Sequence, residues 1–301
     1  MPERQPEHIP RRIDKKSSRT AAFTCMSRAS SFLEKDRYFK SDDHIAVALL
    51  PGLVKFLLKY NILNLKNRIA PKGIYPYVIA RTKYIDHVFV HAKNNGFEQV
   101  LIMGAGFDSR AIRLLGKDDH VKVYEIDACH TLEAKLNQYK KRNIIKPDND
   151  ILIPIDLEQA KLKTGLREHG FEIHRKTLFI LEGLIMYLSQ DAVRETFNLI
   201  SEYSSSGSLV VFDYVYASVL RLENKFYGEK AIYKRVKKAN EKWMFGIEEG
   251  QIECFLGNFH LHLVEHLDSI ALEHEYFKDE SGKIICRING THCIVLAERD
   301  D

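Results

Sequence analysis

The stretch VLIMGAGFDSRAIRLL, residues 100–115, opens with a four-residue apolar run that breaks at Gly104-Ala105-Gly106 and restarts with helical spacing. A strand that ends in Gly-x-Gly before a helix lets bare backbone approach a ligand. The free N–H groups of the helix start then favour a polar or anionic group. A dinucleotide site would carry a third glycine, in the pattern G-x-G-x-x-G, for pyrophosphate access and close helix packing. Here the turn runs on into Asp108 and Ser109. An acid beside the turn repels a pyrophosphate but suits a cofactor with a positive charge, so the loop leans away from NAD and toward S-adenosylmethionine.

From residue 98, short β-branched runs alternate with helical stretches, the signature of a parallel sheet wound by crossover helices. The predicted strands are Gln99 to Met103, His120 to Glu125, Asp150 to Ile155, Thr177 to Leu181 and Ser208 to Phe212. A helix capped by Ser189 is expected from Asp191 to Tyr203, with Val193, Phe197 and Ile200 on one face. Two further strand-like runs, about 268–277 and 292–298, flank the turn-rich KDESGK and suggest a closing hairpin.

Acids gather where these strands end. The second run closes on Glu125 and Asp127, about 20 residues beyond the glycine turn, where an α/β nucleotide site places a carboxylate on the ribose hydroxyls. Spacing alone leaves the choice between them open. Asp156 follows the third strand, at the carboxyl edge where such folds bind ligands and where the adenine amino group wants an acceptor. Glu182 follows the wholly apolar TLFIL, beside the position of a sulfonium or substrate.

N-terminal to the turn the spacing is helical. Residues 1–17 are charged and proline-bearing and read as a flexible tail. Helices are expected from Ser18, over about 44–60 and over about 77–94, the last burying Ile85, Val88, Phe89 and Ala92. Arg81 lies four residues before Ile85 and so on that buried stripe. A buried guanidinium cannot shed its charge and needs an anion. That anion is either an internal carboxylate or the carboxylate of a methionine moiety.

Composition bounds the rest. The chain has 301 residues, 45% of them hydrophobic, enough for a sizeable core. A net charge of +4 is explained by a solvated surface about as well as by a nucleic-acid groove, which is not favoured. The five cysteines show no C-x-x-C pair and no zinc spacing, so reduced thiols in a cytoplasmic protein and no metal are expected. No run approaches the ~18 apolar residues of a membrane span, and the N-terminus lacks the apolar stretch of a signal peptide. His260, His262 and His266 alternate partly as in a strand but lack metal-ligand spacing with a carboxylate.

SRTAAFTCMSRA, the R-T-x-x-I-D of ARTKYID, GAGFDSRAIRL, YEIDACHTLEAK, IPIDLEQ, LEGLIMYLSQDAV and WMFGIEEGQIECFL follow one another in order from about residue 18 to the end. Together they resemble the leucine carboxyl methyltransferase family, most of all its large branch of S-adenosylmethionine-dependent O-methyltransferases. The resemblance implies a class I methyltransferase (Rossmann-like) α/β fold with a seven-stranded, mostly parallel sheet and an antiparallel C-terminal hairpin strand. It further implies a helical N-terminal cap (18–97), a cofactor-binding core (98–214), an insertion lining the acceptor pocket (215–260) and C-terminal strands (261–301).

Carried over position by position, the cofactor contacts fall on Arg81 for the methionine carboxylate and on Gly104, with Ala105 and Gly106, at the turn. They continue on Asp127 for the ribose, Asp156 with Leu157 for the adenine, and Glu182 near the methionine amino group; Arg28 matches a basic position that approaches the cofactor. The family pattern E-x-D favours Asp127 over Glu125. The implied reaction is in-line methyl transfer from S-adenosylmethionine, leaving S-adenosylhomocysteine, to a small-molecule or peptide acceptor bearing a carboxylate or hydroxyl. A carboxylate needs no general base. A hydroxyl needs one, and the sequence offers Tyr187, Tyr214 and Tyr216 near strand exits and the histidines His260, His262 and His266, with Tyr187 and Tyr214 as the candidates. The basic segment around Lys234, Arg235 and Lys238 is either a solvated helix face or a guide for an acidic acceptor. The competing readings are a cofactor-binding interaction protein without catalysis and an NAD-dependent oxidoreductase.

Overall fold

The computed structural model describes residues 19–60, 62–63, 70–117, 119–156, 162–239 and 241–300. The expected tail, Ser18 and Leu157 lie outside the described residues.

Seven strands form one sheet: β1 (Gln99–Met103), β2 (Lys122–Asp127), β3 (Asp150–Pro154), β4 (Thr177–Leu181), β5 (Leu209–Val215), β6 (Leu261–Leu267) and β7 (His292–Arg299). Their order is β3-β2-β1-β4-β5-β7-β6, with β1 to β5 parallel and β7 antiparallel to both β5 and β6. The strand order reverses direction between β1 and β4, so the carboxyl ends of those strands open the crevice in which such sheets bind ligands.

The helices are α1 (Arg19–Leu33), α2 (His44–Leu49), α3 (Gly52–Lys59), α4 (Ile74–Asn94), α5 (Arg110–Leu114), α6 (Cys129–Arg142), α7 (Leu162–Glu168), α8 (Gln190–Tyr203), α9 (Ala217–Leu220), α10 (Glu229–Ala239), α11 (Ile252–Gly257) and α12 (Ser269–Tyr276). None of them is long and apolar enough to cross a membrane. Side chains of β5 alternate between two cores. Val210 and Phe212 join α8's Val193, Phe197 and Ile200 on one face, while Leu209 and Val211 join α4's Ile85, Val88 and Phe89 on the other. Phe197 is fully buried, and truncating such a ring costs roughly 3–5 kcal/mol in transfer and cavity terms.

Several boundaries differ from the sequence reading, each for a local reason. The helical block over 44–60 is two helices, because Pro51 removes a backbone donor at their junction. α4 begins three residues early, where Gly73 takes the left-handed φ of 74° that lets the chain enter the helix. β2 starts and ends two residues later than predicted, which makes Asp127 its last residue.

The run 268–277 is not a strand. Asp268 accepts the N–H of Ala271 at 2.8 Å and caps α12, a helix that buries Leu272. Short apolar runs do not distinguish helix from strand by periodicity, and here the cap decides. The strand paired with β7 is instead β6, the segment holding His262 and His266. KDESGK closes only a local turn, in which the Asp279 carboxylate accepts the N–H groups of Ser281 and Lys283, both at 2.9 Å. One irregularity interrupts β6, where a bulge between Leu263 and Glu265 leaves Val264 unpaired and exposed.

Candidate cofactor site

The glycine turn leaves β1 with Gly104 and Gly106 at φ +69° and +54°, conformations that favour residues without a Cβ. Space also constrains them. A Cβ on Gly104 would meet Leu184 Cδ1 at 2.8 Å, and one on Gly106 would lie 3.2 Å from the methyl of Ala21 on α1. The turn is tied to β2 by the Ala105 N–H on the Ile126 carbonyl at 2.9 Å.

Asp127 stands at the end of β2 and faces this turn. Its carboxylate accepts the N–H groups of Gly106 and Ala128, both at 2.7 Å. Burial pushes its pKa up, opposed by those two N–H donors. Glu125, two residues earlier, is fully buried and pairs with Lys135 of α6. Burial raises its carboxyl while Lys135 pulls it down. The two acids that spacing left undecided therefore have separate surroundings: Glu125 is committed inside the sheet, and Asp127 lies at its edge. Asp156 stands two residues beyond β3 and is half-buried.

The most extensive feature is a continuous chain of ions beside the turn. Arg28 pairs with Asp43 at 3.3 Å, Asp43 with Arg113 at 3.4 Å, and Arg113 with Asp86 at 2.9 Å. Asp86 then pairs with Arg110 at 2.8 Å, and Arg110 holds both Asp108 and, at 2.8 Å, Glu182. Glu182 reaches Arg81 at 3.1 Å, and Arg81 ends the chain on Asp213 at 2.6 Å. Five carboxylates thus face four guanidiniums, so this mostly buried network carries one negative charge in excess. Burial by itself would raise the Glu182 carboxyl, but Arg110, Arg81 and Arg28 outweigh it and hold it below the usual carboxylate range. The Asp108 carboxyl is likewise raised by burial and lowered more by Arg110 and Arg28, to about 2. Both remain ionised at neutral pH.

Arg81 is buried on α4 as its spacing predicted, and its internal partners are two acids, Glu182 and Asp213. Arg28 donates to the carbonyl of Phe107, one residue past the glycine turn, at 2.6 Å. Asp213 and Tyr77 escaped the sequence reading. Asp213 is fully buried and accepts from Arg81 Nη1 at 2.6 Å, the Tyr77 hydroxyl at 2.8 Å and the Gly183 N–H at 2.5 Å. The signal was available: Asp213 follows an apolar run just as Glu182 follows TLFIL.

The two tyrosines are not brought together. Tyr187 lies in the one-turn 3₁₀ segment Ile185–Tyr187 after β4, against Thr20 and Trp243, with its hydroxyl pKa raised by burial. Tyr214 follows Asp213 in β5 and so points to the opposite face of the sheet. There it is buried, with its hydroxyl 3.1 Å from His266 Nε2. His262 pairs with Asp300 at 2.7 Å, and no group of three potential metal ligands occurs among the described residues.

A family model described as leucine carboxyl methyltransferase matches residues 24–201. A Mycobacterium ulcerans protein provisionally named an S-adenosyl-L-methionine-dependent methyltransferase is 30% identical over 210 residues, 67% of this chain and 68% of that protein. A similarly named Streptomyces coelicolor protein is 33% identical over 131 residues, 44% of this chain and 46% of its own. Matches of the latter kind mean that the chain spans about half the length of most of the curated relatives it resembles. Two solved structures share the fold at 15% identity. They are a DUF574 family protein of Streptomyces avermitilis (TM-score 0.57, covering 96% of this chain and 100% of that one) and a Thermobifida fusca protein provisionally described as a methyltransferase (TM-score 0.58, 95% and 96%).

Proposed function

The chain belongs to the leucine carboxyl methyltransferase family, and from that premise we propose that it transfers a methyl group from S-adenosylmethionine to a carboxylate or hydroxyl oxygen of an acceptor. The observation that carries this reading is the odd carboxylate of the ion chain. A buried network with one negative charge in excess favours a ligand of opposite sign, and S-adenosylmethionine is a cation while NADH is an anion. When bound, the cofactor supplies an electrophilic methyl group on a sulfonium.

The residues at hand divide the binding among them. Arg81 engages Nε and Nη1 internally, which leaves Nη2 for the methionine carboxylate. Glu182, ionised and at the end of β4, takes the methionine ammonium. Asp127 would hold the ribose hydroxyls, Asp156 with Leu157 the adenine, and the Gly104-Ala105-Gly106 backbone would line the cofactor. Arg28 acts one step back, through Phe107. Tyr187, between α1 and Trp243, faces the acceptor side, and Tyr214, across the sheet, belongs to the core.

The test is calorimetric titration with S-adenosylhomocysteine, NADH serving as the parallel control. Micromolar binding of the first alone is expected. Binding of NADH alone, or of neither, overturns the reading. Arg81→Ala should weaken S-adenosylhomocysteine by roughly 10- to 100-fold, the loss of one charge-assisted contact, and leave 5′-methylthioadenosine nearly unaffected.

A further inference from the structure

Helix α10 follows β5 and α9 and turns Ile232 and Val236 into the core. Its outer face is cationic, with Lys230, Lys234, Arg235, Lys237 and Lys238 all exposed. Its acid is already used: Glu229 is buried and accepts the N–H groups of Asn224 at 2.7 Å and Phe226 at 3.1 Å. Ala231, Lys234, Arg235 and Lys238 fall at i, i+3, i+4 and i+7, one stripe of the helix. With Ala70 and Pro71 they line an open cavity of about 270 Å³.

Its lining is three apolar residues (Ala70, Pro71, Ala231) and three cations. No acidic side chain among the described residues pairs with Lys234, Arg235 or Lys238. Like charges along one helix stripe repel, and an anion seated among them relieves that repulsion. The stripe also adjoins the cofactor site. The Arg235 guanidinium lies 5.9 Å from the ring centroid of Phe23 on α1, two residues from the Ala21 methyl that covers Gly106. Just past α10, Glu241 accepts the N–H of Thr20 at 3.1 Å, a second link from this segment to α1.

We propose that the Lys234–Arg235–Lys238 stripe binds a second anionic group of the methyl acceptor, a carboxylate or phosphate separate from the methylated oxygen and carried on an apolar body that packs against Ala70, Pro71 and Ala231. The inference rests on the methyl-transfer reading for its meaning, but its binding chemistry is tested independently. An acceptor held in this way is anchored at one end by charge and presents its other end to the cofactor, which is how remote binding energy serves alignment.

The experiment uses the full chain and 8-anilinonaphthalene-1-sulfonate, an apolar body with one anionic group, as a fluorescent reporter. Saturable binding should weaken about three- to tenfold in K234Q/K238Q, two exposed charge contacts having been removed. Raising the salt should weaken the wild type and hardly change the variant. Octanoate and octyl phosphate should displace the reporter where octanol does not, and the tighter of the two identifies the anion. Equal binding by variant and wild type, or displacement by octanol as strong as by octanoate, overturns the proposal. S-adenosylhomocysteine is titrated into the same two proteins. Its failure to bind the wild type would end the methyl-transfer reading, while the reporter still decides the stripe.

Discussion

Replacing Asp213 with asparagine tests whether the buried ion chain is held together as its geometry says. The carboxylate serves three donors, Arg81 Nη1 at 2.6 Å, Tyr77 Oη at 2.8 Å and Gly183 N at 2.5 Å, with no exposure to water. Asparagine keeps one oxygen. With that oxygen on Arg81 and Tyr77, the new NH₂ faces the Gly183 N–H, and a buried donor is left without an acceptor at a cost of about 1–3 kcal/mol. The contact with Arg81 also falls from an ion pair to a guanidinium bond on a neutral oxygen, about 1 kcal/mol more. The sum is roughly 2–4 kcal/mol. For a domain of this size that lowers Tm by about 4–8 °C, at ~2 °C per kcal/mol. The assay is thermal unfolding followed by near-ultraviolet circular dichroism, with urea unfolding as the isothermal check. Tyr77→Phe, which removes a single neutral donor, should cost only about 1 kcal/mol and provides the scale. An Asp213→Asn protein melting within ~1 °C of wild type would refute the reasoning, because no arrangement of the amide satisfies all three donors.

Other outcomes follow from the same geometry. Gly104→Ala should lose roughly 1–2 kcal/mol, the cost of a side chain at φ +69°, since the Leu184 methyl can swing aside but the backbone cannot; an unchanged urea midpoint would contradict this. Asp108 titrates at about 2 in the fold and near 3.9 unfolded. Its contribution is therefore present above pH ~4 and lost as pH falls toward 2. The stability gap between wild type and Asp108→Asn, measured by urea unfolding, should narrow over that window, and a gap constant from pH 7 to 2 would remove Asp108 from the chain. Tyr214→Phe should cost about 1 kcal/mol through the lost contact with His266 yet leave S-adenosylhomocysteine affinity intact; weakened binding would move Tyr214 into the site.

The residues proposed for the cofactor were legible because they sit where a period changes. An apolar run stops, a glycine pair or an acid follows, and the chain re-forms as a helix, as at Gly104, Asp127 and Glu182. Asp213 also follows an apolar run, but β5 continues through Tyr214 and Val215, so no change of period marks the acid. Arg81 was placed on the buried stripe of α4 by spacing alone. Its acids could not be named, since one lies 101 and the other 132 residues away in sequence and only the sheet brings them together. At the C-terminus, DSIALEHEYF and HLHLVEHL are both short, half-apolar runs. What separates them is the Asp268 cap and the pairing of β6 with β7, one local and one dependent on a strand 25 or more residues downstream.

The bulge in β6 bears on association between copies of this chain. β6 is the outer strand of the sheet, and a flat outer strand offers a row of free N–H and C=O groups on which another chain can add itself. Val264 breaks that row, and the strand's residues on either side of it include His262, bound to Asp300, and Glu265, which accepts the Tyr84 hydroxyl at 2.6 Å. An incoming strand would have to match an irregular register beside polar side chains already engaged elsewhere. The sheet is thus closed to growth on this side by one extra residue, and deleting Val264 would be the shortest route to an edge that aggregates.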